Sequence, residues 1–188
     1  MGSRLDFSRR RLLGGAIGIA GAAAWMHPRD TAAQAQPRTL PASVEAKAPP
    51  LPALGTTLRL PSLGMLDGSH FEPARAEGKL LVVYWWASWC PFCAVQSPEI
   101  EKLWRTQQTR GLQVLALSVD TRREDAIAHL NKKSYTFPAA MMTPDASKIL
   151  PKPKGLPVTL VRGRDGKLLL AEAGQMFPED IEDIAKFL

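Results

Sequence analysis

Residues 80–93 read Leu80-Leu81-Val82-Val83-Tyr84-Trp85-Trp86-Ala87-Ser88-Trp89-Cys90-Pro91-Phe92-Cys93. The first half is an unbroken apolar run preceded by Lys79. Such a run, rich in β-branched and aromatic residues, reads as a strand buried on both faces. Trp85 and Trp86 point to opposite faces of that strand, and both are expected in the core. The second half holds both cysteines of the chain at C-x-x-C spacing. Pro91 suits the first position of a helix, because its missing N–H had no helical partner there. The unpaired N–H groups and dipole at a helix start stabilise an anion, and a thiolate at Cys90 is such an anion. That setting draws a thiol pKa from about 8.5 to between roughly 3.5 and 7.5, and the thiolate is the nucleophile. A helical turn returns Cys93 over Cys90. Cys90 is then the attacking and Cys93 the resolving sulfur of a thiol–disulfide exchange.

Two plainer readings of the pair are weak. Zinc takes about four ligands, and beyond the N-terminal segment only His70 and His129 are added, neither at ligand spacing. A structural disulfide would close a very short loop and restrict the unfolded chain little. No metal site is expected. Met141-Met142 is read as gap-filling rather than copper-binding.

Outward from the cysteines, the sequence alternates helix and strand patterns. Residues 94–109 read as a helix stopped by Gly111, and 113–119 as a second buried strand. Thr121-x-x-Glu124 reads as a capping box opening a helix over 122–133. Residues 136–141 form a weak strand and 145–150 a helical turn. The stretches 158–161 and 168–173 form a hairpin around Gly163-Arg164-Asp165-Gly166. Pro178, Glu179 and Asp180 open a last helix. Toward the N-terminus, 58–63 is a candidate edge strand and Asp67-Gly68 a turn. The fold class is α/β, a central sheet flanked by helices.

The chain has 188 residues and a formal net charge of +6. Residues 1–35 hold five arginines against two acids, and the remainder has no block of like charge. A nucleic-acid partner is therefore not expected. Residues 1–35 have the parts of a secretory signal: Ser8-Arg9-Arg10-Arg11-Leu12-Leu13, a glycine-diluted apolar run, and Ala33-Gln34-Ala35 as a cleavage pattern. The apolar run falls short of the roughly 20 residues a membrane anchor needs. Periplasmic export is the expectation, with a membrane-anchored form facing the periplasm as the alternative. Residues 36–57 are rich in Pro and Ala and read as a linker. The folded domain is expected over 58–188.

The run Trp86–Cys93 after a hydrophobic strand resembles the thioredoxin superfamily, and Ser-Arg-Arg-x-Leu-Leu resembles a twin-arginine signal. Pro98 stands where the superfamily has a kink-forming proline. Gly155-Leu156-Pro157-Val158-Thr159 resembles its cis-proline loop. That likeness implies a cis Pro157 packed against the active-site disulfide, with the Leu156 backbone pairing with substrate by strand addition. Trp89, Pro91 and Phe92 complete the active-site motif, with Trp89 exposed beside the thiol.

More narrowly, 58–188 is similar to the TlpA-like periplasmic group, which includes the cytochrome c maturation thioredoxins. The likeness rests on a strand before Lys79, Leu117-Ser118-Val119-Asp120, an insertion over about 131–150, and Asp165-Gly166-Lys167. It implies a thioredoxin fold with a central mixed sheet, an N-terminal strand extension and that central insertion. It also implies reduction of protein disulfides, a membrane thiol-relay protein as electron donor, and no small-molecule cofactor beyond the redox-active Cys90–Cys93 disulfide. The sequence departs from the group in three places. Tyr84 and Gln96 stand where relatives keep acids, and Pro91-Phe92 resembles glutaredoxin-like and oxidase-like dipeptides. Neither a Tyr nor an amide carries protons near neutral pH. Asp120 and Glu99 are candidate stand-in carriers, expected to be solvated. A disulfide oxidase or isomerase, a copper-handling chaperone and a redox-inert interaction domain remain as alternatives.

Overall fold

The computed structural model describes residues 48–188. The signal reading of 1–35 and the linker as far as 47 lie outside the described residues. The apolar run forms β3 (Leu80–Trp86), buried along its whole length. It follows a short ribbon of β1 (Leu63–Gly64) antiparallel to β2 (His70–Phe71). After it come α1 (Pro91–Gln107), β4 (Leu112–Ser118), α2 (Arg123–Lys133), β5 (Ala139–Met141) and α3 (Pro144–Ile149). A hairpin of β6 (Val158–Arg162) and β7 (Leu168–Ala173), then α4 (Pro178–Asp183), complete the chain. The main sheet has five strands in the order β5-β4-β3-β6-β7. β3 runs parallel to β4 and antiparallel to β6, with Trp86 opposite Ser118 and Trp85 opposite Val158. The sheet with flanking helices is what the sequence pattern predicts, and its mixed pairing is what the resemblance implies.

The alternation of β3 sorts the core. Leu80, Val82, Tyr84 and Trp86 join residues of α1, α2 and α4 and both cysteines on one face. Leu81, Val83 and Trp85 join Leu58, Leu60, Phe71 and Ala146 on the other. Trp85 and Trp86 are therefore both core residues.

Several boundaries differ from the sequence reading. Residues 58–62 lie in no strand, although Leu58 and Leu60 are buried. Pro61 has no N–H to give to a ladder, so pairing begins only at Leu63. The extension begins before Leu58: Gly55 N donates to Leu168 O at 2.8 Å, and Leu168 N to Thr56 O at 2.9 Å. The end of the stretch read as linker thus lies against the edge of β7. Helix α1 starts at Pro91 rather than residue 94, runs through Pro98, and ends in a 3₁₀ turn closed by Gly111 at φ 98°. The Thr121 capping box does not form. Arg122 occupies the cap position of α2 without a side-chain bond. Glu124 and Asp125 in the first turn and Lys132 and Lys133 in the last complement the helix dipole instead. Pro138 delays β5 to Ala139. The last helix gives way to a 3₁₀ turn at Ile184.

Glu101 on α1 anchors the insertion. Its carboxyl accepts from Thr136 N at 2.8 Å, Thr136 Oγ1 at 2.7 Å, Phe137 N at 3.0 Å, and Arg105 Nε. Burial pushes its pKa up. The bonds from Thr136, Arg105 and Phe137 outweigh burial and hold the group below the ordinary carboxylate range. A depressed folded-state pKa stabilises the fold above the unfolded value, and that stability disappears as pH falls through the folded one. Glu101→Ala is expected to cost about 2–4 kcal/mol at neutral pH, since it orphans two backbone N–H groups. Urea unfolding should show the gap from wild type narrowing below about pH 4. A gap independent of pH would assign the loss to packing alone.

Candidate active site

The parallel pairing of β3 with β4 fixes where the chain leaves the sheet, and the cysteines follow within one short loop. Cys90 is the N-cap of α1, with φ −82° and ψ 116°. Its Sγ accepts from Cys93 N at 3.2 Å. Cys90 and Cys93 are joined as a disulfide, with Cα atoms 5.2 Å apart. Cys90 is 4% exposed and Cys93 1%, so an incoming sulfur meets Cys90 first. The first turn of α1 then faces a thiolate at Cys90 once the bond opens, which is the electrostatic arrangement that favours nucleophilic sulfur.

The remaining motif residues divide. Pro91 and Phe92 are exposed, Phe92 at 57%. Trp89 is partly buried and packs against the core around the cysteines, where the sequence reading expected an exposed ring. The Leu156–Pro157 peptide bond is cis. Pro157 is buried and its carbonyl accepts from Gly174 N at 2.8 Å. Because β6 is antiparallel to β3, Leu156 and Pro157 lie at the end of the sheet from which Cys90 emerges. Leu156 is partly buried and packs against both core clusters.

Tyr84 and Gln96 have structural partners. Tyr84 Oη lies 3.0 Å from Ser97 Oγ and donates to Cys93 O at 3.4 Å. Burial raises its pKa well above the ordinary phenol value, against the Ser97 bond, so it stays protonated. Gln96 Nε2 donates to Thr159 Oγ1 at 2.8 Å, while Gln96 Oε1 accepts from Met176 N at 2.8 Å. One buried amide thus joins α1 to the start of β6 and to the segment before α4. Thr159 and Met176 were not among the sequence-read site residues. An amide donates and accepts at once, and that is the signal in Gln96 that two partners were needed.

Asp120 corrects the sequence reading. It is 6% exposed, not solvated. Ser88 N lies 3.2 and 3.1 Å from its two oxygens, Ser88 Oγ donates at 2.7 Å, and Ser118 Oγ at 2.8 Å. Glu99 is half-buried. Met141 and Met142 pack against the core. Among the described residues no group of three or more His, Cys, Asp or Glu side chains is placed to hold a metal ion, and no helix is long and apolar enough to cross a membrane.

A cysteine pair at the start of a helix, on a mixed sheet of this topology, defines a thioredoxin-fold thiol–disulfide oxidoreductase. Residues 54–146 match the family model described as AhpC/TSA. Among curated relatives, the thiol-disulfide oxidoreductase ResA of Halalkalibacterium halodurans is 23% identical over 127 residues, covering 65% of this chain and 70% of the relative. ResA of Geobacillus thermodenitrificans is 25% identical over 130 residues, covering 69% and 75%. A thiol:disulfide interchange protein of Chlorobium tepidum superposes with a TM-score of 0.64 at 24% identity, over 72% of this chain and 97% of that one. Mycobacterium tuberculosis DsbF superposes at 0.62 with 18% identity, over 70% and 97%.

Proposed function

We propose that the protein is an exported, periplasmic oxidoreductase that reduces disulfides in protein substrates. The observation that carries this reading is the Cys90 Sγ capping α1 and accepting the Cys93 N–H. Cys90 thiolate attacks one sulfur of a substrate disulfide; the substrate bond breaks and its departing sulfur takes a proton. Cys93, deprotonated, attacks Cys90 Sγ and releases the second substrate thiolate, which is also protonated. Two electrons pass from the Cys90/Cys93 dithiol to the substrate. Leu156 and Pro157 receive the substrate backbone as an added strand. The dithiol is restored by a membrane thiol-relay donor, and cytochrome c maturation is the process the TlpA-like resemblance implies.

Export is supported by the signal features of residues 1–35. A structural neighbour from Mycobacterium tuberculosis is described as a secreted disulfide oxidoreductase. The direction of electron flow is decided by the reduction potential. A value near about −270 mV supports the reductase, and one near about −120 mV replaces it with an oxidase.

A further inference from the structure

We propose that Asp120 is a positioning residue for this chemistry: through Ser88 it holds Cys90 at the N-terminus of α1 while the Cys90–Cys93 bond is open. The proposal rests on the reading that Cys90 is the attacking thiol. A buried carboxyl group is costly unless donors surround it. Asp120 takes Ser88 through both its backbone N–H and its hydroxyl, and takes the Ser118 hydroxyl as well. Ser88 lies in the loop between β3 and α1, two residues before Cys90. Beside this clamp the loop has the local bond from Cys90 N to Ala87 O at 3.2 Å.

The need for a clamp changes with redox state. In the disulfide, a covalent bond keeps Cys90 against the first turn of α1. When that bond opens, stabilisation of the thiolate depends on Sγ staying in line with the Cys93 N–H, because hydrogen bonds weaken steeply off axis. The Asp120–Ser88 bonds involve neither sulfur, so opening the disulfide removes none of their donors or acceptors. Asp120 influences the charge of His129 on α2, which has Lys132 and Lys133 on the same helix. Burial, then Lys133, lowers the His129 pKa, against the attraction of Asp120.

The sign of one shift tests the proposal. In a Cys93→Ser protein Cys90 is the sole thiol, since the chain has two cysteines. Its pKa is read from the pH dependence of alkylation by iodoacetamide. Adding Asp120→Asn removes the charge and exchanges one of the two acceptor oxygens for an NH2 donor. The Ser88 N–H, shared between both oxygens, then keeps one neutral acceptor at most, and the hold on Ser88 weakens. Cys90 should then titrate about one unit higher, with an about tenfold slower reaction below both values. Ser88→Ala should shift it the same way by less, and serves alone if Asp120→Asn does not fold. An unchanged pKa with a lower melting temperature would make Asp120 merely structural and overturn the proposal. A lowered pKa would also overturn it, because removing a nearby negative charge favours the thiolate. If Cys90 in the Cys93→Ser protein itself titrates as an ordinary thiol near about 8.5, the attacking-thiol reading fails instead.

Discussion

Cys90→Ser abolishes disulfide exchange, and Cys93→Ser halts it at the first step: these are the expected results with the largest effect on activity. A serine hydroxyl at the start of α1 stays protonated at neutral pH, so no nucleophile is formed and the rate falls by about three orders of magnitude or more. Cys93→Ser leaves Cys90 its hydrogen bond from the backbone N of residue 93. Attack still occurs, but nothing resolves the mixed disulfide, which accumulates. Non-reducing electrophoresis should show a reductant-sensitive adduct with the substrate protein in Cys93→Ser and none in Cys90→Ser. An adduct formed by Cys90→Ser through Cys93 would reverse the assignment. Exposure argues against that outcome, because Cys93 is the more deeply buried of the two.

Trp85→Ala is expected to be the most damaging core change away from the cysteines. The ring is fully buried in the cluster on the face of the sheet opposite Cys90. Truncation of such a side chain costs about 3–5 kcal/mol, against a total stability of about 5–15 kcal/mol. The melting temperature should fall by about 10–20 °C. Trp85→Phe should be far milder. The buried Trp85 Nε1 has no hydrogen-bond partner, and relief of an orphan donor returns about 1–3 kcal/mol, close to what the smaller ring forfeits. Urea unfolding of the two variants decides this. Similar losses for Ala and Phe would mean that the site needs the full indole outline and that the unpartnered N–H costs little.

Local features were legible in the sequence. The seven-residue apolar run of β3 reads as an inner strand, and C-x-x-C directly after it places the chemistry. The cis Leu156–Pro157 bond also matched what the resemblance implied. What escaped were partnerships made by the sheet. Asp120 reads as a surface acid because its donors on Ser88 lie 32 residues away and arrive only when Trp86 pairs with Ser118. Gln96 meets Thr159 and Met176 across 63 and 80 residues. Thr121-x-x-Glu124 failed in the opposite sense: a locally sound capping signal was not used, and charge in the first turn of α2 served in its place.

The pairing of residues 55–57 with the hairpin bears on how this protein behaves in company. Thr57 bridges to Lys167, and Gly55 and Thr56 bond to Leu168, all at the end of the sheet away from the cysteines. β7 is the outermost strand on that side. An open outer strand is a template for another chain, and so for aggregation. Residues 55–57 therefore act as a selvedge. They close the start of that border against strand-to-strand association, and leave the opposite end of the sheet for the encounters the protein needs.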